Sequence, residues 1–195
     1  MTFTAKKDAP PHNFRWSEKL IGAALSKMFE GKFMMAIPTC GWTGHECDLL
    51  AVTRDMRIVD IEIKISRSDF RADAKKDKWY YTPNEASDIT GISWQDYYLR
   101  KVDRIRRPWP QKVWKHYYCM PRSIWVESML DQCGSEKSGV ILLEHDANGK
   151  MFAFLARAAK PDRKAEVLAA EHVIDLARHA SLRMWDAYRK LEASA

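Results

Sequence analysis

The stretch Val59-Asp60-Ile61-Glu62-Ile63-Lys64-Ile65-Ser66 alternates strictly between apolar and polar residues. A strand turns successive side chains to opposite faces, so Val59, Ile61, Ile63 and Ile65 are expected to build core while Asp60, Glu62 and Lys64 share the other side. Upstream, Asp48 heads the apolar run Leu49-Leu50-Ala51-Val52, and a short turn at 54–56 would pair the two strands and bring Asp48 towards Glu62. Two carboxylates and a lysine then occupy one patch, which is open to two readings. Carboxylate oxygens are hard ligands that suit Mg²⁺ or Mn²⁺, with the ammonium placed to orient or help deprotonate an attacking water. Alternatively, Glu62 and Lys64 are same-face neighbours forming an ordinary ion pair that contributes little. Asp60 shares the face but stands at the strand's entrance, peripheral to the patch.

The set Asp48 with Glu62-Ile63-Lys64 resembles the PD-(D/E)XK nuclease superfamily, whose core carries an Asp at the start of one strand and Glu-x-Lys on its hairpin partner. Residues 66–79 read Ser-Arg-Ser-Asp-Phe-Arg-Ala-Asp-Ala-Lys-Lys-Asp-Lys-Trp. That stretch is similar to the Ser-x-x-Asp-Phe-x-x-Asp-x-Lys-Trp segment of the MmcB-like DNA repair proteins in this superfamily, with extra residues between Asp73 and Trp79. His116-Tyr117-Tyr118-Cys119-Met120-Pro121 and Gly139-Val140-Ile141-Leu142-Leu143 resemble the later strands of that group, while 83–112 has no counterpart in it. The resemblance implies an α/β fold with a restriction-endonuclease-like core, a mixed β-sheet flanked by helices. It implies hydrolysis of DNA phosphodiester bonds in repair, recombination or phage DNA processing. The metal, Mg²⁺ or Mn²⁺, would be held by Asp48, Glu62 and the carbonyl of Ile63, with Lys64 at the water and Glu18 as a further acid from the first helix.

The elements that must position these residues follow from periodicity. Ser17 caps a helix expected over 17–30, with Leu20, Ile21, Ala24, Leu25 and Met28 on its buried stripe and Gly31 as its stop. Helical spacing turns Glu18 inward beside Ile21 and Leu25; the other reading is a first-turn glutamate complementing the helix dipole. Strands are expected at 32–38, 47–53 and 57–65, then a helix from Ser68 or Asp69, capped by Asp69, with Phe70 inward and Lys75, Lys76 and Lys78 along its outer side. A strand at 114–120 adds beside the third. A hairpin of 138–144 with 151–156 turns at Asn148-Gly149. A helix over 161–191 follows, with Val167, Ala170, Ile174, Ala177, Met184, Trp185 and Tyr188 facing the core.

The length of 195 residues, with 46% apolar and 11% aromatic residues, fits a single folded domain and argues against disorder. Residues 1–13, with two prolines, read as a loose arm. A formal charge of +6 suits a polyanionic partner, here DNA. Four cysteines without a CxxC pair do not make a disulfide framework and point to a reducing cytoplasm. Cys40, His45 and Cys47 raise zinc, but no fourth ligand follows at a familiar spacing, which favours plain buried thiols. Neither a membrane span nor the apolar centre of a signal peptide is apparent, and there is no phosphate-binding glycine loop, GxSxG or His-Asn-His pattern.

Within 83–112, Trp94, Tyr97 and Tyr98 interleave with Arg100, Lys101, Arg104, Arg106 and Arg107. Such a segment can pair with phosphates and stack bases; it can also be a surface helix over 94–107 with solvated arginines. Lys75 and Lys78 join it as candidate phosphate contacts. His45 and Glu46 lie close enough to Asp48 to approach the site. Cleavage of both strands would favour a homodimer. A catalytically inactive DNA-binding module on the same fold is the competing function.

Overall fold

A computed structural model describes residues 15–81, 105–146 and 148–194. The arm at 1–13 and the insertion up to residue 104, with Arg100, Lys101 and Arg104, lie outside them. The fold is mixed α/β. Its order is α1 (Glu18–Met28), β1 (Phe33–Cys40), β2 (Cys47–Thr53), β3 (Ile58–Ile63), α2 (Arg67–Asp73), β4 (Tyr80–Tyr81), β5 (Ile105–Arg106), β6 (Lys115–Pro121), β7 (Gly139–His145), β8 (Met151–Arg157) and α3 (Ala170–Glu192).

Six strands form one sheet in the order β1-β2-β3-β6-β7-β8, and β4 with β5 forms a separate two-stranded ribbon. The pairs β1–β2, β2–β3 and β7–β8 are antiparallel, whereas β6 runs parallel to both β3 and β7. The β2–β3 turn forms where expected, closed by Thr53 and Arg57, with Met56 in the left-handed region at φ 58.

The two sheet faces differ in kind. Ile21 and Leu25 of α1 pack on Leu49, Ala51, Val59, Ile61, Ile63, Cys119, Ile141 and Leu143. The opposite face is split. Leu50, Val52 and Ile58 pack with Trp109, Val113, Leu168 and Leu176, whereas Tyr118, Met120, Val140 and Leu142 pack with Phe70, Trp79 and Met129. Charged residues fill the ground between these two clusters. All four cysteines are free and buried. Among the described residues, no helix is long and apolar enough to cross a membrane.

Three expectations are corrected. Ser17 caps α1 as read, accepting from the Leu20 amide, but α1 lies on the face opposite Glu62 and Glu18 is exposed on its first turn. Glu18 therefore does not project towards the carboxylate patch, and its helix-dipole reading is the one the geometry favours. The alternative reading of a surface helix over 94–107 fails at its described end, where Ile105 and Arg106 form β5 and pair with Tyr81 and Tyr80.

The C-terminal helix starts at Ala170 rather than 161 and presents a different face to the core. Leu176 is buried against the β1–β2 side, with Val173 and Ala180 packed beside it, whereas Ile174 is 69% exposed and Trp185 and Tyr188 are each 55% exposed. The apolar stripe chosen from the sequence is thus solvent-facing. A helix resting on one edge strand buries a narrow arc, and the arc used here is that of Val173, Leu176 and Ala180.

Close packing beneath the charged ground has a specific requirement. Gly134 abuts the indole of the fully buried Trp79, and a Cβ added there would overlap the ring. Gly134→Ala is expected to destabilise the fold by about 1–3 kcal/mol, read as a lowered urea midpoint, while Gly41→Ala, which has open space around it, leaves the midpoint nearly unchanged.

Candidate active site

Strand register places the patch. Leu49 faces Ile61 and Leu50 faces Asp60, so continuing the ladder by one step sets Asp48 opposite Glu62. The Asp48 carboxylate turns towards the end of β3 and accepts the Ile63 amide at 2.8 Å. Its side chain is 21% exposed, at the rim of the cluster, whereas those of Glu62 and Lys64 are buried. Asp48, Glu62 and Lys64 do come together: Lys64 Nζ donates to Glu62 Oε2 at 2.7 Å and lies 3.8 Å from Asp48 Oδ2.

Around this core lie a third acid and two further lysines. Ser66 caps α2 by accepting from the Asp69 amide, in place of the expected Asp69 cap. The helix then delivers Asp73, fully buried, to the cluster. Asp73 Oδ2 accepts from Tyr118 Oη at 2.7 Å and from Trp79 Nε1 at 3.1 Å. Its other oxygen meets three ammonium groups, Lys64 at 3.2 Å, Lys78 at 3.3 Å and Lys76 at 3.4 Å. Lys76 reaches Glu62 Oε2 at 2.9 Å and Lys78 reaches Glu62 Oε1 at 2.9 Å. The Lys78 contact is a charge contact, since that oxygen has no partner in hydrogen-bond geometry.

Three lysines therefore balance Glu62, Asp73 and the rim carboxylate Asp48. Burial alone would raise the Glu62 pKa, but Lys78, Lys64 and Lys76 outweigh it and hold the carboxyl far below its usual range. Asp73 is held down in the same way, chiefly by Lys78 against its own burial. The reverse holds at the rim. Burial, joined by repulsion from Glu62, pushes Asp48 up to about 6 despite Lys64 and the Ile63 amide.

Lys78 was expected on an outer helical face as a phosphate contact; it is instead 4% exposed and locked into the cluster. The chain leaves α2 at Asp73 and makes a tight turn over Asp77–Trp79, which swings Lys78 and Trp79 inward. Lys75 is exposed, as a phosphate contact requires. Arg106 is exposed but donates to the Gly134 carbonyl, and Arg107 lies over the Tyr81 ring and donates to Gln111.

Asp60, read as peripheral, is fully buried and bonded to His45 at 3.1 Å, while Glu46 is exposed. His116, its parallel neighbour, is also fully buried. Its Nε2 lies 3.1 Å from Lys78 Nζ and its Nδ1 lies 3.0 Å from Ser138 Oγ. An ammonium only donates, so Nε2 accepts and the proton rides on Nδ1. Sequence reasoning missed Asp73, Lys76 and His116 as members of the cluster. The available signal was Asp73 followed by Lys76 and Lys78 at the end of a helix too short to carry a solvated lysine face.

Scans against protein-family models and curated proteins find no match. Among solved structures the chain is similar to a protein of unknown function from Silicibacter pomeroyi, with a TM-score of 0.50 and 19% identity over 92% of each chain. At that identity the likeness speaks for the fold alone.

Burial, then Lys78, lowers the His116 pKa to about 4. Between there and the ordinary value near 6.5, the unfolded chain binds a proton that the folded chain refuses. Stability from this group is complete above the upper value and is lost as pH falls towards the lower one, by up to about 3 kcal/mol. Asp48 acts with the opposite sign as it titrates, so the comparison with His116→Asn isolates the histidine. Urea unfolding between pH 7.5 and 4.5 is expected to show a flatter acid decline in the variant than in the wild type.

Proposed function

We propose that the protein is a metal-dependent nuclease that hydrolyses DNA phosphodiester bonds, with Asp48, Glu62 and Lys64 as its working residues. The observation that carries this reading is the pairing of Asp48 with Glu62 across β2 and β3, with Lys64 Nζ 2.7 Å from the glutamate. The donor set fits a hard divalent cation such as Mg²⁺ or Mn²⁺: Asp48, at the rim, is a carboxylate raised to about 6 by burial and by the Glu62 carboxylate beside it, so added positive charge would favour its ionised form. Asp48, Glu62 and the Ile63 carbonyl would hold the ion. When bound, it would supply charge neutralisation at phosphorus and an acidified water.

Lys76 has a particular place in this proposal. Its ammonium caps Glu62 Oε2 yet its side chain is 42% exposed, so it can swing away where Lys64 and Lys78 cannot. Lys64 stays to hold a proton-bearing group beside the reacting phosphate. DNA would approach from the side of Lys75, with Arg106 on β5 and Arg107 just after it as further contacts.

A catalytically inactive DNA-binding module is the second reading, favoured by the complete burial of Glu62 among lysines. Cleavage of labelled single-stranded, duplex, nicked, forked and four-way DNA, and of RNA, with Mg²⁺ or Mn²⁺ and an EDTA control separates the two. Metal-dependent cutting is expected. Asp48→Asn keeps an acceptor for the Ile63 amide and should weaken Mn²⁺ binding in calorimetry. Lys64→Met should lower turnover by about 10²-fold or more with DNA affinity retained. Binding without cutting under every condition would transfer the assignment to the inactive module.

Lys75→Ala provides an independent measure of the DNA path. Its binding should weaken uniformly across sequences, with the slope of log K against log salt concentration shallower by about 1. An unchanged slope would remove Lys75 from the interface.

A further inference from the structure

The loop between β1 and β2 brings a separate set of donors against the middle of β3. His45 Nε2 lies 3.1 Å from Asp60 Oδ2 and 3.7 Å from Cys47 Sγ, and all three donor atoms fall within 4.8 Å of one another. Thr43 Oγ1 donates to the His45 carbonyl at 2.9 Å and lies 3.2 Å from His45 Nδ1. A hydroxyl has one proton. With that proton on the carbonyl, the contact to the ring is made by Nδ1–H donating to Oγ1.

The neutral ring then has a bare lone pair at Nε2, aimed at a carboxylate oxygen and flanked by sulfur. Such an arrangement calls for a proton, on Nε2 or on one of its two neighbours, or for a metal ion between the three atoms. Asp60 adds a second, independent sign. It is fully buried, and its other oxygen, Oδ1, has no hydrogen-bond partner. The Lys78 ammonium attracts this carboxylate and His116 Nε2 lies 3.9 Å from Oδ2, but neither hydrogen-bonds Oδ1, and a buried carboxylate without full hydrogen bonding remains costly.

We propose that His45, Cys47 and Asp60 bind one zinc ion. One thiolate, one imidazole and one carboxylate form a borderline-soft donor set that suits Zn²⁺ better than Mg²⁺ or Ca²⁺. A tetrahedral shell with bonds of about 2.0–2.3 Å separates neighbouring donors by about 3.3–3.7 Å, against 3.1 and 3.7 Å for the two His45 pairs and a limit of 4.8 Å for the whole set. Thr43 acts as the outer partner that fixes the imidazole tautomer. The His45 side chain is 9% exposed, which leaves an outlet for a water at the fourth position. Cys40 pairs with Cys47 across the strands but is not in the donor set; Asp60, distant in sequence, takes the place of the missing ligand. The ion would pin the 41–46 loop to the central strand. It is distinct from the proposed Asp48–Glu62 site and does not rest on the nuclease reading.

The test uses the full chain purified without chelators, with metal content measured by mass spectrometry and then, on stripped protein, titration with Zn²⁺ and Co²⁺. About one zinc per chain is expected, with a sulfur-to-cobalt charge-transfer band in the Co²⁺ form. Cys47→Ser should abolish that band and weaken Zn²⁺ binding by about 10²-fold or more. His45→Gln should weaken binding similarly, and serves if the buried cysteine variant does not fold. Asp48→Asn should leave the zinc stoichiometry unchanged, so loss of Mn²⁺ binding and loss of zinc are read separately. Stripped, folded protein that takes up no zinc at neutral pH, or variants that bind it as the wild type does, would overturn the proposal in favour of a proton on His45 or one of its two neighbours.

Discussion

Two buried carboxylates, Glu62 and Asp73, impose the constraint around which the rest of the structure is arranged. Removing a carboxylate from water costs several kcal/mol even after relaxation, and one uncompensated acid could offset much of a domain's net stability. Here the compensation comes from Lys64, Lys76 and Lys78 together with the Tyr118 hydroxyl and the Trp79 indole. Short α2 and the turn after it make geometric sense in this light. They end where Asp73 can enter and reverse where Lys78 can follow it.

The same constraint explains the division of the sheet. One face is closed by α1 over a mostly aliphatic core whose buried residues include no charged side chain. The other face has an apolar cluster at each side and a largely buried ionic cluster between. Charge in such a setting is poorly screened, which is why the carboxylates respond so differently to the same lysines. Glu62 is surrounded by lysines and stays ionised, while Asp48 at the rim is raised by its burial and by repulsion from Glu62, which Lys64 and the Ile63 amide only partly offset. Chemistry directed at a polyanion could begin from that asymmetry, because the less satisfied carboxylate is also the more accessible one.

Much of this was legible in the chain. Alternation in 59–65 identified which residues of β3 share a face, and the turn at 54–56 fixed the register that sets Asp48 opposite Glu62. What was not legible depends on tertiary direction. Glu18 has the spacing of an inward residue, yet α1 covers the face away from the carboxylates. Lys78 belongs to a run of charge that sequence alone treats as solvated; only the turn at Asp77–Trp79 reveals that it points in. The stripe containing Ile174, Trp185 and Tyr188 has helical period without a surface to cover, because α3 meets the sheet along the arc of Leu176. Asp60 looked peripheral because its partner, His45, lies across a loop whose path periodicity does not specify.

The parallel pairing of β3 with β6 bears on the order in which the molecule assembles. Asp48, Glu62, Lys64, Asp73, Lys76 and Lys78 all come from one continuous stretch, joined by a hairpin and a short helix. Tyr118 and His116, which cover this group from the adjacent strand, arrive only after a long connection closes. Local contacts form before distant ones because loop closure opposes the latter. A hairpin and lysine arm assembled in that order would be charge-balanced before β6 docks over them. A chain arranged the other way round, with its acids local and its lysines distant, would have to carry unmatched negative charge through its slowest step.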